Sequence, residues 1–393
     1  MYVKSINIEN IAGITKLDLN FNTQMNIVCG ENGIGKTTII ECVAHTFSVS
    51  NTNILKRSVL SKYGKFESII NINNQDTNII ISIHDFIPLS NTNINGAYQK
   101  SKYLMSLKVG RTFNYENLQA VSKDVDKQEH IVYEEAKHGV KIHEIKNWFV
   151  NRFLYSAHAG SLTNEQLENL ELAKSCFSII DGNFSFNRVM ASDNEIMINT
   201  PNGEIYYEYL SSGFKSIISI LFGIIKDIEF RFKEPTIKAK DFDGIILIDE
   251  LELHLHPIWQ AKISNILKEV FPKVQFIVTT HSPHIIQNAN PDEIIALKRD
   301  ENGVVIKKEI PNNEFGFQGW TVEEVLVDIM GMEDTRTEIY KNSIRNFQNA
   351  ISIENYRLAK EEFDKLNKLL HPDNYLRKLL SFDLASVKGS EVD

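Results

Sequence analysis

The stretch from residue 30 to residue 38 reads Gly30-Glu31-Asn32-Gly33-Ile34-Gly35-Lys36-Thr37-Thr38. It fits the pattern G-x-x-x-x-G-K-[ST], in which glycines let backbone N–H groups close around phosphate oxygens. An apolar, strand-like run (25–29) precedes it, and a helical pattern of apolar residues follows it. A helix that starts at the loop adds a dipole that favours an anion. The sequence therefore predicts a phosphate-binding loop rather than an ordinary turn before a core helix.

The residue types in this loop predict individual contacts. Lys36 is expected to reach the β- and γ-phosphates of a bound nucleotide, and Thr37 to bind Mg²⁺ through its hydroxyl. A nucleoside triphosphate and Mg²⁺ are therefore the expected cofactors. The other predicted nucleotide contacts in this stretch are Gly30, Asn32, Gly33, Gly35 and Thr38.

Two apolar runs further along the chain each end in polar residues. Ile245-Ile246-Leu247-Ile248 has the character of a strand buried on both faces, and Asp249 and Glu250 follow it. Asp249 is expected to hold Mg²⁺, and Glu250 to polarise the attacking water as a general base. The run 276–280 delivers His281, which is expected to donate a hydrogen bond to the γ-phosphate. A lone histidine is more often structural, but its place after a second strand favours the site.

A serine and glycine turn opens the apolar helical pattern that follows Leu210. It consists of Ser211, Ser212 and Gly213, and a turn of this kind at a helix start is another anion site. Alone it is weak, because such a turn is also an ordinary helix cap. It becomes informative only together with the other motifs.

Several polar residues leave alternatives open. Gln119 or Gln128 is a candidate for a glutamine that senses Mg²⁺, and Arg111 could face the nucleotide, although an exposed structural arginine is the commoner case. Four histidines (His254, His256, His281 and His284) lie near the acidic pair. Zinc is not expected there, since the sequence does not show that these histidines converge.

The composition is that of a globular protein. The chain has 393 residues and a net charge of -9, which argues against a surface that coats nucleic acid without specificity. Lys56, Arg57, Lys62 and Lys65 form one local basic group, but on charge alone a solvated loop is the simpler interpretation. The three cysteines are scattered, so neither a disulfide framework nor a zinc knuckle is indicated. No signal-peptide pattern and no long apolar run is present, so a cytoplasmic location is expected.

The periodicities predict an α/β fold. Residues 1–29 alternate apolar and polar side chains in three short strands, and residues 69–83 and 195–209 have the pattern of hairpins. We expect a mixed sheet with a parallel core, an antiparallel β subdomain and a C-terminal helical region. Ala359, Phe363, Leu366 and Leu370 form an apolar helical stripe in that last region. The predicted domains are residues 1–315 and 316–393.

The four motifs together, in this order, resemble those of ABC-type ATPases. The opening residues 6–10, the run Asp249 to Pro257 and Thr280-His281-Ser282-Pro283 are similar to the RecF/SMC/OLD branch of that group. The region 319–332 resembles the C-terminal part of PtuA-type ATPases, which are found in Septu and some retron antiphage systems. The resemblance implies an ABC-type ATPase head with slow or regulatory ATP hydrolysis.

The resemblance also implies an assembly. Two subunits would sandwich two ATP molecules, with Ser211 and Gly213 of one subunit contacting the γ-phosphate held by the other. The usual signature has glycine at position 212 and often glutamine at position 214, whereas this chain has Ser212 and Phe214. Roughly 170 residues without sustained heptads separate the loop from this signature, which excludes an SMC arm. No Asp-x-Asp pair follows His281, so the nuclease of OLD proteins would have to be a separate protein.

Three functional hypotheses follow from the sequence. The leading one is an ATPase that forms homo-oligomers and regulates an associated effector nuclease in antiphage defence. The alternatives are a RecF-like, ATP-switched DNA-binding repair protein and the ATPase subunit of a transporter. The signature and the run Glu252 to Pro257 oppose the transporter, and no membrane association is expected. The C-terminal region is either a helical cap on the ATPase or a docking surface for a partner or another subunit.

Overall fold

The computed structural model of the protein describes residues 1–110, 117–125, 127–310, 314–332 and 336–388. The chain divides into two compact units between Gly331 and Met332. The first unit therefore includes residues 316–331, which the sequence-based division after residue 315 assigned to the C-terminal region. None of the helices in the described ranges has the length and apolar character needed to cross a membrane.

The described residues contain fifteen strands. In chain order they are β1 (Tyr2–Ile11), β2 (Ile14–Asn20), β3 (Met25–Gly30), β4 (Val49–Thr52), β5 (Gly64–Ile72), β6 (Gln75–Ile83), β7 (Thr92–Asn95), β8 (Leu104–Leu107), β9 (Ser185–Val189), β10 (Ile196–Thr200), β11 (Gly203–Tyr206), β12 (Ile245–Ile248), β13 (Gln275–Thr279), β14 (Ile294–Arg299) and β15 (Val305–Lys307).

Eleven α-helices occur in the same part of the chain. They are α1 (Lys36–Thr46), α2 (Glu129–His138), α3 (Ile145–Ser156), α4 (Asn164–Ile180), α5 (Ser212–Arg231), α6 (Pro257–Val270), α7 (Pro283–Gln287), α8 (Val322–Glu324), α9 (Glu338–Ser352), α10 (Tyr356–Leu369) and α11 (Leu376–Ser386). A π-helical turn, Val325–Ile329, continues α8.

A six-stranded sheet forms the centre of the first unit. Its strand order is β15-β14-β3-β13-β12-β8, and only β15 pairs antiparallel with its neighbour. Every residue of β3, β8, β12 and β13 is buried. The predicted parallel core is thus confirmed, and the carboxyl ends of β3, β13 and β12 lie side by side at one edge of the sheet.

Antiparallel sheets accompany this core, as the alternating patterns predicted. The largest has the order β2-β1-β5-β6, and the hairpin of β10 and β11 carries β9 on its other side. One hydrophobic core contains residues of β1, the helix α1 and one face of the central sheet. A second core packs α3, α4, α5 and α6 around the opposite face, with stacked rings of Phe149 and Phe222 near its centre.

The second unit contains α9, α10 and α11. The predicted stripe is confirmed in α10, where Ala359 and Leu366 are fully buried and Phe363 is partly buried. Leu370 follows the last residue of this helix and packs against the same core. These side chains, with Phe347 of α9, give the unit a small core of its own.

Candidate functional site

The glycine loop runs from the end of β3 into α1. Gly30, Gly33 and Gly35 have φ values of 141°, 72° and 108°, in the region that favours glycine. A Cβ atom on Gly30 would lie 2.5 Å from the carbonyl oxygen of Leu297, and one on Gly35 would lie 2.9 Å from Ile14. The close packing under the loop therefore requires glycine at both ends. Asn32 and Gly33 lie exposed at its tip.

Lys36 is the first residue of α1 and its side chain folds back over the loop. Its Nζ donates hydrogen bonds to the carbonyl oxygens of Gly30 and Glu31, each at 2.8 Å. Burial lowers the pKa of Lys36, and the nearby carboxylates of Glu252 and Asp249 act in the opposite direction. The ammonium group is thus held, largely dehydrated, at the centre of the loop.

Thr37 and Asp249 meet at the carboxyl ends of β3 and β12. The Thr37 hydroxyl lies 3.3 Å and 3.2 Å from the two carboxylate oxygens of Asp249. Thr279, the last residue of β13, donates its hydroxyl proton to Asp249 Oδ1 at 2.6 Å. Asp249 is therefore fixed between two hydroxyl groups, one on each neighbouring element.

Glu250 follows Asp249 in an unusual backbone conformation. Its φ is 52°, a left-handed value that costs a non-glycine residue roughly 1–2 kcal/mol. The Glu250 N–H donates to the hydroxyl of Thr279 at 2.8 Å. One buried hydroxyl thus orders both acids, and strain of this kind is concentrated at functional sites.

Glu252 accepts two hydrogen bonds from the residues that directly follow β13. Its two carboxylate oxygens accept hydrogen bonds from the Thr280 hydroxyl at 2.7 Å and from the His281 N–H at 2.6 Å. Burial lowers the pKa of His281, as does the charge of Lys36, while Glu252 and Glu250 raise it. His281 thus lies within the electrostatic range of Lys36 and the acids.

The serine turn lies at the start of α5, as predicted. Ser211 caps the helix by accepting a hydrogen bond from the Phe214 N–H at 3.3 Å, and the side chains of Ser211 and Ser212 are exposed. A Cβ on Gly213 would lie 2.7 Å from Trp259. Within the described residues no hydrogen bond or ion pair joins this turn to the glycine loop of the same chain.

The residue after β8 is a lysine rather than one of the candidate glutamines. Lys108 Nζ donates to Glu41 of α1 at 2.6 Å. Gln128 precedes the first turn of α2, and Gln119 is exposed. Among the described residues, neither glutamine forms a hydrogen bond with the residues around Asp249. Arg111 lies outside the described residues.

The neighbouring histidines have separate positions. His256 caps α6 by accepting a hydrogen bond from the Ile258 N–H at 3.5 Å, whereas His254 is exposed with a φ of 64°. In the described ranges no three His, Cys, Asp or Glu side chains form a group that could hold a metal ion. The pair of Thr37 and Asp249 offers two hard oxygen ligands instead, which is the donor type that Mg²⁺ prefers.

Most cations of the basic group formed by Lys56, Arg57, Lys62 and Lys65 make contacts within the protein. Lys56 Nζ donates to the carbonyl of Ser90, and the Arg57 guanidinium donates to the carbonyls of His84, Ser58 and Ser61. Lys65 pairs with Glu9 at 3.2 Å. Three of the four cations therefore hold neighbouring chain segments together.

Comparison with known proteins identifies the family to which the chain belongs. The family described as "AAA domain, putative AbiEii toxin, Type IV TA system" matches residues 25–287. The Septu protein PtuA of Bacillus thuringiensis is 42% identical over 98% of this chain and 98% of its own length. The retron Ec83 probable ATPase of Escherichia coli is 29% identical over 53% of this chain, a match that spans 36% of that protein. The SMC head domain from Thermotoga maritima aligns with a TM-score of 0.46 and 14% identity over 79% of this chain and 100% of its own.

Proposed function

Because the chain belongs to the family of the Septu protein PtuA and contains a domain of the AAA family, we propose that it binds ATP with Mg²⁺ and hydrolyses it. The observation that carries this proposal is the convergence of three neighbouring strand ends. β3 leads to the glycine loop, β12 to Asp249 and Glu250, and β13 to His281. In open α/β sheets, ligands bind beyond the carboxyl ends of the strands.

The residues present fit a nucleotide and its metal. The positive φ values of the loop glycines allow backbone N–H groups to turn toward phosphate oxygens, and Lys36 is already at the loop centre. Thr37 and Asp249 together supply a hydroxyl and a carboxylate 3.2 Å apart. Thr37 and Asp249 would hold Mg²⁺, for which a site with few protein oxygens is suitable, and the ion would supply positive charge that stabilises the charge developing on the phosphates.

Each of these side chains would have a separate role in hydrolysis. Lys36 would exchange its two carbonyl partners for phosphate oxygens, and Thr37 and Asp249 would hold the metal. Glu250 would take a proton from the attacking water. His281, whose pKa is lowered by burial and by the charge of Lys36, would donate a hydrogen bond to the terminal phosphate.

We infer that a second copy completes the site. Ser211 and Ser212 are exposed at the start of a 20-residue helix, and no hydrogen bond among the described residues ties them to the loop of their own chain. Gly213, packed against Trp259, fixes the turn so that the serines stay outside the core. A facing protomer would place this turn, with its helix dipole, against the γ-phosphate held by the glycine loop.

The assembly can be tested by mixing two inactive variants. Lys36→Ala removes the phosphate contact, and Ser212→Arg blocks the exposed turn without touching the helix cap. Each alone should lack ATPase activity. A mixed dimer would keep one intact site, so an equimolar mixture should recover about a quarter of the wild-type activity if protomers exchange freely. Ser178→Arg, at an exposed position on α4, is the matched control.

An inactive mixture, under conditions where isotope-labelled protomers are seen to exchange, would refute the completion of the site by a second copy. Activity in Ser212→Arg alone would refute the role of the turn. ATP binding by the loop is tested separately through the affinity of each single variant.

We further propose that this ATPase regulates a separate effector nuclease in antiphage defence. The support is the similarity to a Septu protein over nearly the whole chain and to a retron ATPase over about half of it. Affinity purification of the full chain together with the products of neighbouring genes should recover a nuclease. Recovery of replication proteins and ATP-dependent binding to DNA would favour the RecF-like alternative instead.

A further inference from the structure

A cavity of about 1120 Å³ lies in the first unit, away from the glycine loop. None of its described lining residues belongs to the loop or to the group of Asp249, Glu250 and His281. Its walls come from the end of β8, the segment between α2 and α3, the residues around β11 and the start of α5. Pockets for small ligands typically measure roughly 300–1,000 Å³, so this one has room for a nucleotide.

Two of the three acidic residues in the cavity wall share one buried lysine. Lys146 is buried, and its Nζ lies 2.5 Å from Glu195 and 2.7 Å from Glu208. Burial raises the pKa of Glu208, since its carboxylate is partly removed from water. The third acid, Asp193, accepts a hydrogen bond from the Glu195 N–H at 3.1 Å. These groups form a structured polar wall rather than a cation site.

Two further lysines of the cavity wall, Lys141 and Lys215, lie outside the pairs that Lys146 forms with Glu195 and Glu208. In the part of the chain that the structure describes, neither Lys141 nor Lys215 forms an ion pair. Lys215 Nζ donates to the carbonyl oxygen of Glu208 at 2.9 Å, which orients it while leaving two N–H groups for a ligand. Ammonium groups with N–H donors left over can form charge-assisted hydrogen bonds to a phosphate.

Aromatic rings lie beside these cations. Tyr206 and Tyr209 both line the cavity and pack edge to face, with ring centroids 5.4 Å apart. Tyr209 is 74% exposed, so one face of its ring is available to a ligand. A planar base can stack on such a ring without sequence preference.

We propose that this cavity is a second binding site for a nucleotide unit, separate from the predicted ATP site. The phosphate lies against Lys141 and Lys215, and the base stacks on Tyr209. The same chemistry is offered by a free nucleotide and by a nucleotide within a single strand of DNA. This site is independent of whether the glycine loop hydrolyses ATP.

The test uses full-length protein with Lys36→Ala, so that the glycine loop does not contribute. Calorimetry with ATP and fluorescence anisotropy with a short labelled single-stranded DNA report the two sources separately. At least one probe should bind saturably. Adding Lys141→Gln or Lys215→Gln should weaken that binding about tenfold or more, because each removes a charge-assisted hydrogen bond. Lys240→Gln, an exposed lysine outside the cavity, should leave it unchanged.

Binding of ATP would identify a free nucleotide as the ligand, and binding of the DNA alone would identify a strand. Failure of both probes to bind, or equal affinities in the two cavity variants and the control, would overturn the proposal. Should Lys36→Ala not fold, the wild type is titrated with a non-hydrolysable ATP analogue and, once saturated with it, with the labelled DNA. A second analogue molecule per protomer or saturable binding of the DNA, lost when Lys141→Gln and Lys215→Gln are combined, supports the proposal. One analogue molecule per protomer together with no DNA binding overturns it.

Discussion

Replacing Thr279 by valine tests whether one buried hydroxyl positions both acids. Thr279 is 1% exposed, donates to Asp249 at 2.6 Å and accepts from the Glu250 N–H at 2.8 Å. Valine has nearly the same shape, so the change removes the two hydrogen bonds without opening a cavity. Thr37 remains as a partner of Asp249, but the Glu250 N–H loses its acceptor.

The expected cost follows from these two contacts. A hydrogen bond to a charged group contributes about 1.5–3 kcal/mol, and a buried N–H left without an acceptor costs about 1–3 kcal/mol. Thr279→Val should therefore lower the free energy of unfolding by about 3 kcal/mol or more. Because Asp249 and Glu250 are then held less precisely, the hydrolysis rate should fall roughly 10- to 100-fold. Each tenfold loss corresponds to about 1.4 kcal/mol of transition-state stabilisation.

Urea denaturation and steady-state ATPase assays measure the two effects. Thr279→Ser keeps the hydroxyl and should recover most of the rate, whereas a merely packing role for Thr279 would predict no recovery. Thr77→Val, on the exposed face of β6, is the matched control. The positioning role would be refuted if Thr279→Val kept the wild-type turnover and its free energy of unfolding differed from that of the wild type by no more than about 0.5 kcal/mol. Surface substitutions without structural effect fall within that range.

Four further predictions concern single positions. Lys36→Ala should weaken ATP binding about a hundredfold or more, because charged contacts to the phosphates are lost, and normal affinity by calorimetry would refute the site. Glu250→Gln should bind ATP normally but hydrolyse it slowly, and wild-type turnover would show that another residue activates the water. Gly213→Ala should destabilise the protein by about 1–3 kcal/mol and shift tryptophan fluorescence, since the new methyl meets Trp259 at 2.7 Å. Burial lowers the pKa of His45 from 6.5 to about 3, so the unfolded state gains a proton first as the pH falls through this range. The free energy of unfolding should fall by up to about 1.4 kcal/mol per pH unit there, and a His45→Gln variant with the same slope in urea titrations would contradict this.

The sequence predicted the elements whose burial follows a simple period. The four consecutive aliphatic residues of β12 predicted a strand that is buried on both faces. The alternation in β1 and β2 predicted a sheet with only one buried face. In contrast, the helix α2 was not predicted, because its buried face includes Lys137, whose ammonium group donates to Glu134 and to backbone carbonyls. The strand β9 was also missed, since its five residues are mostly exposed at the side of a hairpin.

The candidate site divides in the same way. Lys36, Asp249 and Glu250 were predicted because each stands in a short contiguous motif that is typical of its chemistry. Thr279 and Glu252 were missed, because a threonine at the end of a strand is an ordinary strand former and the role of each depends on a partner about thirty residues away. A hydroxyl directly after buried aliphatic residues was the only signal available. The cavity could not be foreseen, since its walls come from residues spread between 108 and 219.

The position of β13 has a consequence for how a newly made chain matures. β3 and β12 do not touch in the sheet, and β13 is hydrogen-bonded to both. Residues 275–279 leave the ribosome long after the glycine loop, so a nascent chain that ends before them has the two halves of the site without the strand between them. Nucleotide should therefore be unable to stabilise the growing chain until most of the first unit has been translated, and ligand-dependent protease resistance should begin only after β13 emerges.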